Sequence, residues 1–90
     1  MIDATDFFAA LGRRIRRLRE RRGHTLEDMI SHGFSARHWQ QIESGRPTTC
    51  TTILRISLIF KISVSHLVRG LPPPLFVSLA PQRKTPNLHR

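Results

Sequence analysis

Apolar residues recur at helical spacing near the start of the chain. Phe8, Leu11, Ile15 and Leu18 follow one another at intervals of three and four, which places them on one stripe of a helix. The residues between them include many arginines, and arginine is a good helix former. We interpret the arginine run over residues 13–22 as a solvated face of the helix, with contact to phosphates as the alternative. The pattern therefore predicts a helix over residues 6–22.

Gly23 separates this helix from a shorter one that ends at Gly33. Thr25 can cap the N-terminus of the second helix, and two acids follow in its first turn, where the helix dipole favours negative charge. Met29 and Ile30 are predicted to supply its apolar side.

A third helix is predicted over residues 35–44. Ser35 can cap it, and Gly45 ends it. Trp39 and Ile42, three residues apart, share its one apolar face. The other faces carry Ala36, Arg37, His38, Gln40 and Gln41. Arg, Gln and His side chains can reach base edges and phosphates, so on a basic chain this helix is typical of one that lies in a DNA groove.

A fourth helix is predicted from Thr48 or Thr49 to about Lys61. One of its sides is strongly apolar: Ile53, Leu54, Ile56, Ser57 and Phe60. Its β-branched residues also suit a strand, but the apolar run is long and lacks alternation, which favours a helix. Ser63 can cap a fifth helix, which ends at Gly70. Three of its side chains are predicted to face the core: Val64, Leu67 and Val68.

Residues 71–90 differ from the rest, because five of the six prolines lie there. The prolines at 72–74 favour an extended chain. Residues 75–79 read as a strand or as an apolar strip that docks on another surface, and residues 82–90 as a disordered basic end. We expect a helical domain over residues 6–70 and a Pro-rich basic tail, extended or disordered, over residues 71–90.

The charge of the chain favours a polyanionic partner. There are 15 Lys and Arg against 6 Asp and Glu, a net charge of +9, and no acid follows Glu43. Nucleic acid is the first candidate and an anionic membrane surface the second. The apolar run over residues 53–68 is interrupted by Arg55, Lys61 and His66, so no membrane span is expected.

Other kinds of site find little support in the sequence. The single cysteine, Cys50, cannot form an intramolecular disulfide, and the histidines lack the spacing of a metal site. No catalytic triad or carboxylate pair stands out. The start of the chain lacks the pattern of a signal peptide. We expect a cytoplasmic, nucleoid-associated protein that is not an enzyme and has no cofactor and no evident small-molecule effector.

Two segments together resemble a known family. Residues 11–23, with the sequence LGRRIRRLRERRG, and the third helix with its ending Ile42-Glu43-Ser44-Gly45-Arg46 are similar to the Cro and phage-repressor class of helix-turn-helix regulators, the xenobiotic-response-element type. Residues 53–67 resemble the last two helices of that domain. The resemblance covers residues 8–70. It implies an all-α, five-helix, lambda-repressor-like fold whose third helix enters the major groove of double-stranded DNA.

The resemblance also implies roles for individual residues. Base-facing positions fall on Ala36, Arg37, His38 and Gln41. Phosphate contacts are expected at Ser35, Gln40, Ser44 and Arg46, and such contacts set register rather than sequence. Arg19 and Glu43 match an ion pair between the first and third helices. Lys61 replaces the usual Gly of a last turn, where a left-handed residue would be mildly strained.

The function predicted first is a sequence-specific transcriptional regulator, a repressor or an autoregulator. A module this small reads only a few base pairs, so a homodimer on a palindrome is expected. The alternative is a protein-interaction adaptor that keeps the fold without base readout. Arg37, His38 and Gln41 argue against that alternative, because an adaptor has no need of such side chains there.

Overall fold

The computed structural model describes residues 2–76, which form five helices and a two-stranded ribbon. The elements in chain order are β1 (Ile2–Asp3), α1 (Thr5–Arg21), α2 (Leu26–Ser31), α3 (Ala36–Glu43), α4 (Cys50–Phe60), α5 (Val64–Val68) and β2 (Leu75–Phe76). Helix α3 packs against both α1 and α2, while α5 packs against α1 and α4. The predicted all-α fold is confirmed.

Hydroxyl caps fix the starts of four helices. Thr25, Ser35, Thr49 and Ser63 each accept a hydrogen bond from the backbone N–H three residues later, which satisfies one of the free donors of the first turn. Of the two residues predicted to begin the fourth helix, Thr48 and Thr49, it is Thr49 that caps α4. In α2 the cap is reciprocal, and the backbone N–H of Thr25 lowers the pKa of the Asp28 carboxyl.

The core is one cluster that takes residues from every helix. Trp39 and Phe60 are fully buried, as predicted, and Ile42 is 3% exposed. The remaining buried apolar residues are Leu11, Ile15, Met29, Phe34, Ile56 and Leu67. Nine partly buried apolar residues pack around this cluster. Because a domain of this size buries only about 60% of its unfolded surface, each fully buried side chain contributes a large share of its stability.

Two residues predicted to face the core do not. Ile30 is 48% exposed and Leu54 is 49% exposed. Helix α2 has only six residues, and with Met29 turned fully inward the next residue lies 100° around the axis. In α4 the inward stripe passes through Ile56 and Phe60, which places Leu54 on the opposite side.

Lys61 adopts the left-handed conformation that its position predicted. Its φ of 56° and ψ of 44° end α4, and its backbone N–H donates to the carbonyls of Leu58 and Ser57. A residue with a Cβ is strained there, because the Cβ approaches the following carbonyl oxygen.

The two ends of the described chain meet in the ribbon. β1 and β2 are antiparallel, with Ile2 opposite Phe76 and Asp3 opposite Leu75. Residues 75 and 76, which the sequence assigned to the tail, thus pair with the start of the chain. Residues 77–79 of the predicted apolar strip and the predicted disordered end at 82–90 lie outside the described residues. Within residues 2–76, none of the helices combines the length and apolar content that a bilayer crossing requires.

Candidate nucleic-acid interface

Helix α3 rests directly on the backbone of α1. Gly12 faces the end of α3 so closely that a Cβ added there would lie 2.6 Å from the carbonyl oxygens of Ile42 and Glu43. Only glycine allows this approach. The close contact and the burial of Trp39 and Ile42 fix the position of α3 on the domain.

Glu43 ties the end of α3 to the rest of the domain. Its carboxylate accepts two hydrogen bonds from the guanidinium of Arg19, at 2.6 Å from Nε and 3.1 Å from Nη2. The indole Nε1 of Trp39 donates to the same carboxylate at 2.6 Å. Both charged side chains are largely buried, with 13% of Arg19 and 11% of Glu43 exposed. The hydrogen bonds to Glu43 raise the pKa of Arg19, so this cation stays charged beside it.

The exposed face of α3 carries the residues predicted to contact bases. Arg37 and His38 are exposed, and Ala36 and Gln41 are half-buried. Arg37 and Gln41 are four residues apart, so they lie one above the other on the face opposite Trp39. The side chains of Arg37 and Gln41 therefore lie next to each other on the side of α3 that faces away from the core.

The residues predicted to contact phosphates flank this face. Ser35, Gln40, Ser44 and Arg46 are all exposed. The Ser35 hydroxyl accepts the N–H of His38 at 3.0 Å, which leaves its own proton to donate. The Ser44 hydroxyl already donates to the carbonyl of Gln41 at 2.8 Å, so a phosphate contact from its side chain would have to replace that bond.

A stacked group that sequence reasoning missed holds the turn between α2 and α3. Gly33 takes a φ of +96° in this turn, and its carbonyl accepts from Nη2 of Arg55 at 3.3 Å. The Arg55 guanidinium lies 4.2 Å from the centre of the buried Phe34 ring, in the geometry of a cation–π contact. His38 lies 5.6 Å from the same ring. No local pattern in the sequence links Arg55 to this turn, because the contact joins α4 to a turn about 20 residues earlier in the chain.

Two arginines interpreted from sequence as part of a solvated helix face instead bind helix ends. Arg14 donates to the carbonyls of Leu67 and Arg69 at the end of α5. Arg22 donates to the carbonyl of Phe60 at the end of α4, at 2.6 Å. The C-terminal carbonyls of a helix lack partners within it and carry partial negative charge, so cations stabilise them. These arginines hold α4 and α5 against α1.

The match to a known family covers the DNA-binding part of this architecture. A family model described as a helix-turn-helix domain matches residues 10–56, from α1 into α4. The chain belongs to this helix-turn-helix family. It is a family of the Cro/XRE-type group, as the resemblance predicted. Comparison with curated proteins and with solved structures gives no match.

Membership of the helix-turn-helix family indicates a DNA-binding regulator. DNA-binding families of this kind are typically not enzymatic. Among residues 2–76, no three His, Cys, Asp or Glu side chains lie close enough together to hold a metal ion. The surface that the family assignment makes most relevant is therefore the exposed face of α3.

Proposed function

We propose that this protein is a sequence-specific transcriptional regulator, a repressor or an autoregulator, that inserts α3 into the major groove and acts as a homodimer. It would be cytoplasmic and nucleoid-associated. One observation carries the proposal. Arg37 and Gln41 project from α3 opposite its buried Trp39, on a helix that Gly12 and Glu43 hold rigidly against the domain.

Three of the four residues predicted to contact bases have a base for which their chemistry is suited. The fork of Arg37 can donate two hydrogen bonds to O6 and N7 of guanine. The amide of Gln41 can pair in the same way with N6 and N7 of adenine, and Ala36 can contact a thymine methyl group. Each good bidentate pair contributes about 1–3 kcal/mol of discrimination against the wrong base.

Contacts to phosphates would fix the register of α3 along the groove. Ser35 can donate its free hydroxyl proton, Arg46 supplies a cation just after the helix, and Gln40 and Ser44 lie on the same exposed side. A homodimer would place two α3 helices about 34 Å apart, one turn of B-DNA, and so would require an inverted repeat.

Selection of bound sequences from a random duplex pool tests the proposal. We expect an enriched inverted repeat whose half-sites are one helical turn apart. The Arg37→Ala variant should bind this sequence more weakly by about 1–3 kcal/mol, with relaxed preference at one base pair of each half-site and with non-specific binding largely kept.

Arg17→Ala is the matched control. Arg17 is exposed on α1, and its substitution removes the same charge as Arg37→Ala. It should leave the preference intact. A folded protein that enriches no sequence would contradict base readout and favour the protein-interaction adaptor. Equal effects of the two substitutions would show that Arg37 acts only through its charge.

A further inference from the structure

The ribbon exposes two large apolar side chains on one face. Ile2 and Phe76 are cross-strand partners, so their side chains lie on the same side of the ribbon. Ile2 is 68% exposed and Phe76 is 78% exposed. A two-stranded ribbon is marginally stable by itself in water, and nothing within residues 2–76 covers this face.

An apolar groove adjoins the same face. Ile2 forms part of its wall, together with Ala4 and Phe8 from the start of the chain and Gly45 and Pro47 from the loop after α3. Its volume is about 680 Å³, which is ample for an aromatic side chain. The ribbon thus presents a protruding Phe76 next to a groove in which such a ring would fit.

The charge of the two strands disfavours a polyanion as the partner of the ribbon. No Lys or Arg occurs in residues 2–12 or in residues 70–76, whereas Asp3 and Asp6 lie there. The basic residues of the described chain all lie between these two segments. A nucleic acid or an anionic membrane would find no cation on the two strands themselves, and the exposed Arg46, between the groove residues Gly45 and Pro47, is the cation next to them in the loop after α3. A second copy of a chain with net charge +9 meets less repulsion at the strands than at the basic face of α1.

We propose that this face binds a second copy of the chain, with Phe76 of each protomer seated in the groove beside Ile2 of the other. The surface is self-complementary, as a two-fold interface requires, because ring and groove belong to the same patch. The inference rests on the proposed function, which needs two modules on one operator. Gly45 and Pro47 lie in the loop after α3, so the interface would lie next to the C-terminal ends of the two α3 helices.

The size of the patch predicts a weak dimer. Two exposed side chains and an open groove amount to a few hundred Å² on each protomer, whereas stable complexes bury about 800 Å² per partner. We expect a dissociation constant in the micromolar range or weaker for the free protein, with the operator drawing the two protomers together.

Sedimentation velocity of the full chain without DNA tests the interface. The wild type should shift from monomer to dimer as its concentration rises towards about 1 mM. Phe76→Asp removes the ring and Ala4→Glu fills the groove, so each should weaken the dimer at least about tenfold. Leu58→Asp is the matched control, because Leu58 is 76% exposed on α4, away from the ribbon, and should leave the dimer unchanged.

Circular dichroism confirms that each variant is folded before it is compared. A wild type that stays monomeric at the highest concentration would overturn the proposal. A dimer that persists in the Phe76→Asp variant would also overturn it. A dimer that only Leu58→Asp dissociates would place the interface on α4 and would overturn it as well.

Salt separates this inference from the proposed function. Screening reduces the repulsion between two protomers of charge +9, so added salt should strengthen the dimer. DNA binding should weaken under the same conditions, because neutralised phosphates release counterions. A dimer that Phe76→Asp disrupts, in a protein that selects no DNA sequence, would leave the interface standing and refute only base readout. If the protein binds a specific DNA sequence as a dimer and Phe76→Asp does not weaken that dimer, base readout would stand and the ribbon interface would be refuted.

Discussion

Glu43 makes most of the polar contacts that hold the end of α3 in place. It lies at the C-terminal end of α3, where the helix dipole disfavours an anion, and it is mostly buried. The carboxylate is stable there because Arg19 and the Trp39 indole supply three hydrogen bonds to it. This arrangement makes Glu43 a structural residue, and one whose loss leaves the Arg19 cation buried without its counterion.

Glu43→Gln should therefore destabilise the domain markedly. Removing one member of a buried ion pair costs about 3–5 kcal/mol, and the amide, which still accepts hydrogen bonds, should put this variant near 3 kcal/mol. Glu20→Gln is the control on α1, because Glu20 pairs with Arg16 in solvent, at side-chain exposures of 54% and 63%. That change should cost less than about 1 kcal/mol.

Urea unfolding followed by Trp39 fluorescence measures both changes. The indole is buried in the native state and donates to Glu43, so its emission reports the loss of this contact. Similar midpoints for the two variants would show that the buried pair contributes no more than the exposed one.

At the scale of elements, the contact between α1 and α3 can be tested with Gly12→Ala. Helix propensity and the close packing of the two helices predict opposite changes in the free energy of unfolding. Helix propensity alone predicts that Gly12→Ala stabilises α1 by about 1 kcal/mol. The 2.6 Å approach to two backbone carbonyls predicts the reverse, since α1 and α3 must separate to admit the methyl group. We expect the contact to dominate and the variant to lose about 2 kcal/mol or more.

Thermal or urea unfolding gives the sign directly. The separation of the helices should also shift the amide resonances of residues 39–44 more than those of α4, which makes no such approach. A stabilised Gly12→Ala protein would mean that α1 and α3 have room between them.

The helices of this fold can be predicted from sequence because their signals are local. Capping hydroxyls at Thr25, Ser35 and Ser63 and the spacing of Trp39 and Ile42 require only neighbouring residues to be read. The ion pair of Arg19 with Glu43 came from the family resemblance, since nothing local relates two residues 24 positions apart.

The contacts that escaped prediction depend on how distant elements meet. Arg14 and Arg22 looked like solvated residues because their acceptors, the ends of α5 and α4, are 53 and 38 residues away. The ribbon joins two-residue strands from opposite ends of the chain, too short for any periodicity to show. The exposure of Leu54 follows from which side of α4 faces the core. The sequence does not reveal that side, because apolar residues lie both on the buried side of α4, at Ile56 and Phe60, and on its exposed side, at Leu54 and Leu58.

At the scale of the whole molecule, the formal charge overstates the cations available to DNA. Five arginines of the described chain are bound to carbonyls or carboxylates within the protein: Arg14, Arg16, Arg19, Arg22 and Arg55. In α3 and the loop that follows it, the cations left free are Arg37 and Arg46. The strength of phosphate binding therefore depends on a subset of the positive residues. The contribution of a single member of that subset to DNA affinity should be large enough to measure.

The salt dependence of DNA binding tests this partition. If each protomer neutralises roughly 4–6 phosphates, log K should fall with log salt at a slope of about −4 to −5 per protomer. Arg46→Ala should reduce the magnitude of that slope by about 1 and weaken all sequences alike, because a phosphate contact carries no base preference. Arg17→Ala removes the same charge from the face of α1 opposite its buried Leu11 and Ile15, and should leave the slope unchanged. Equal losses of slope in the two variants would show that DNA responds to the net charge of the molecule rather than to the cations beside α3.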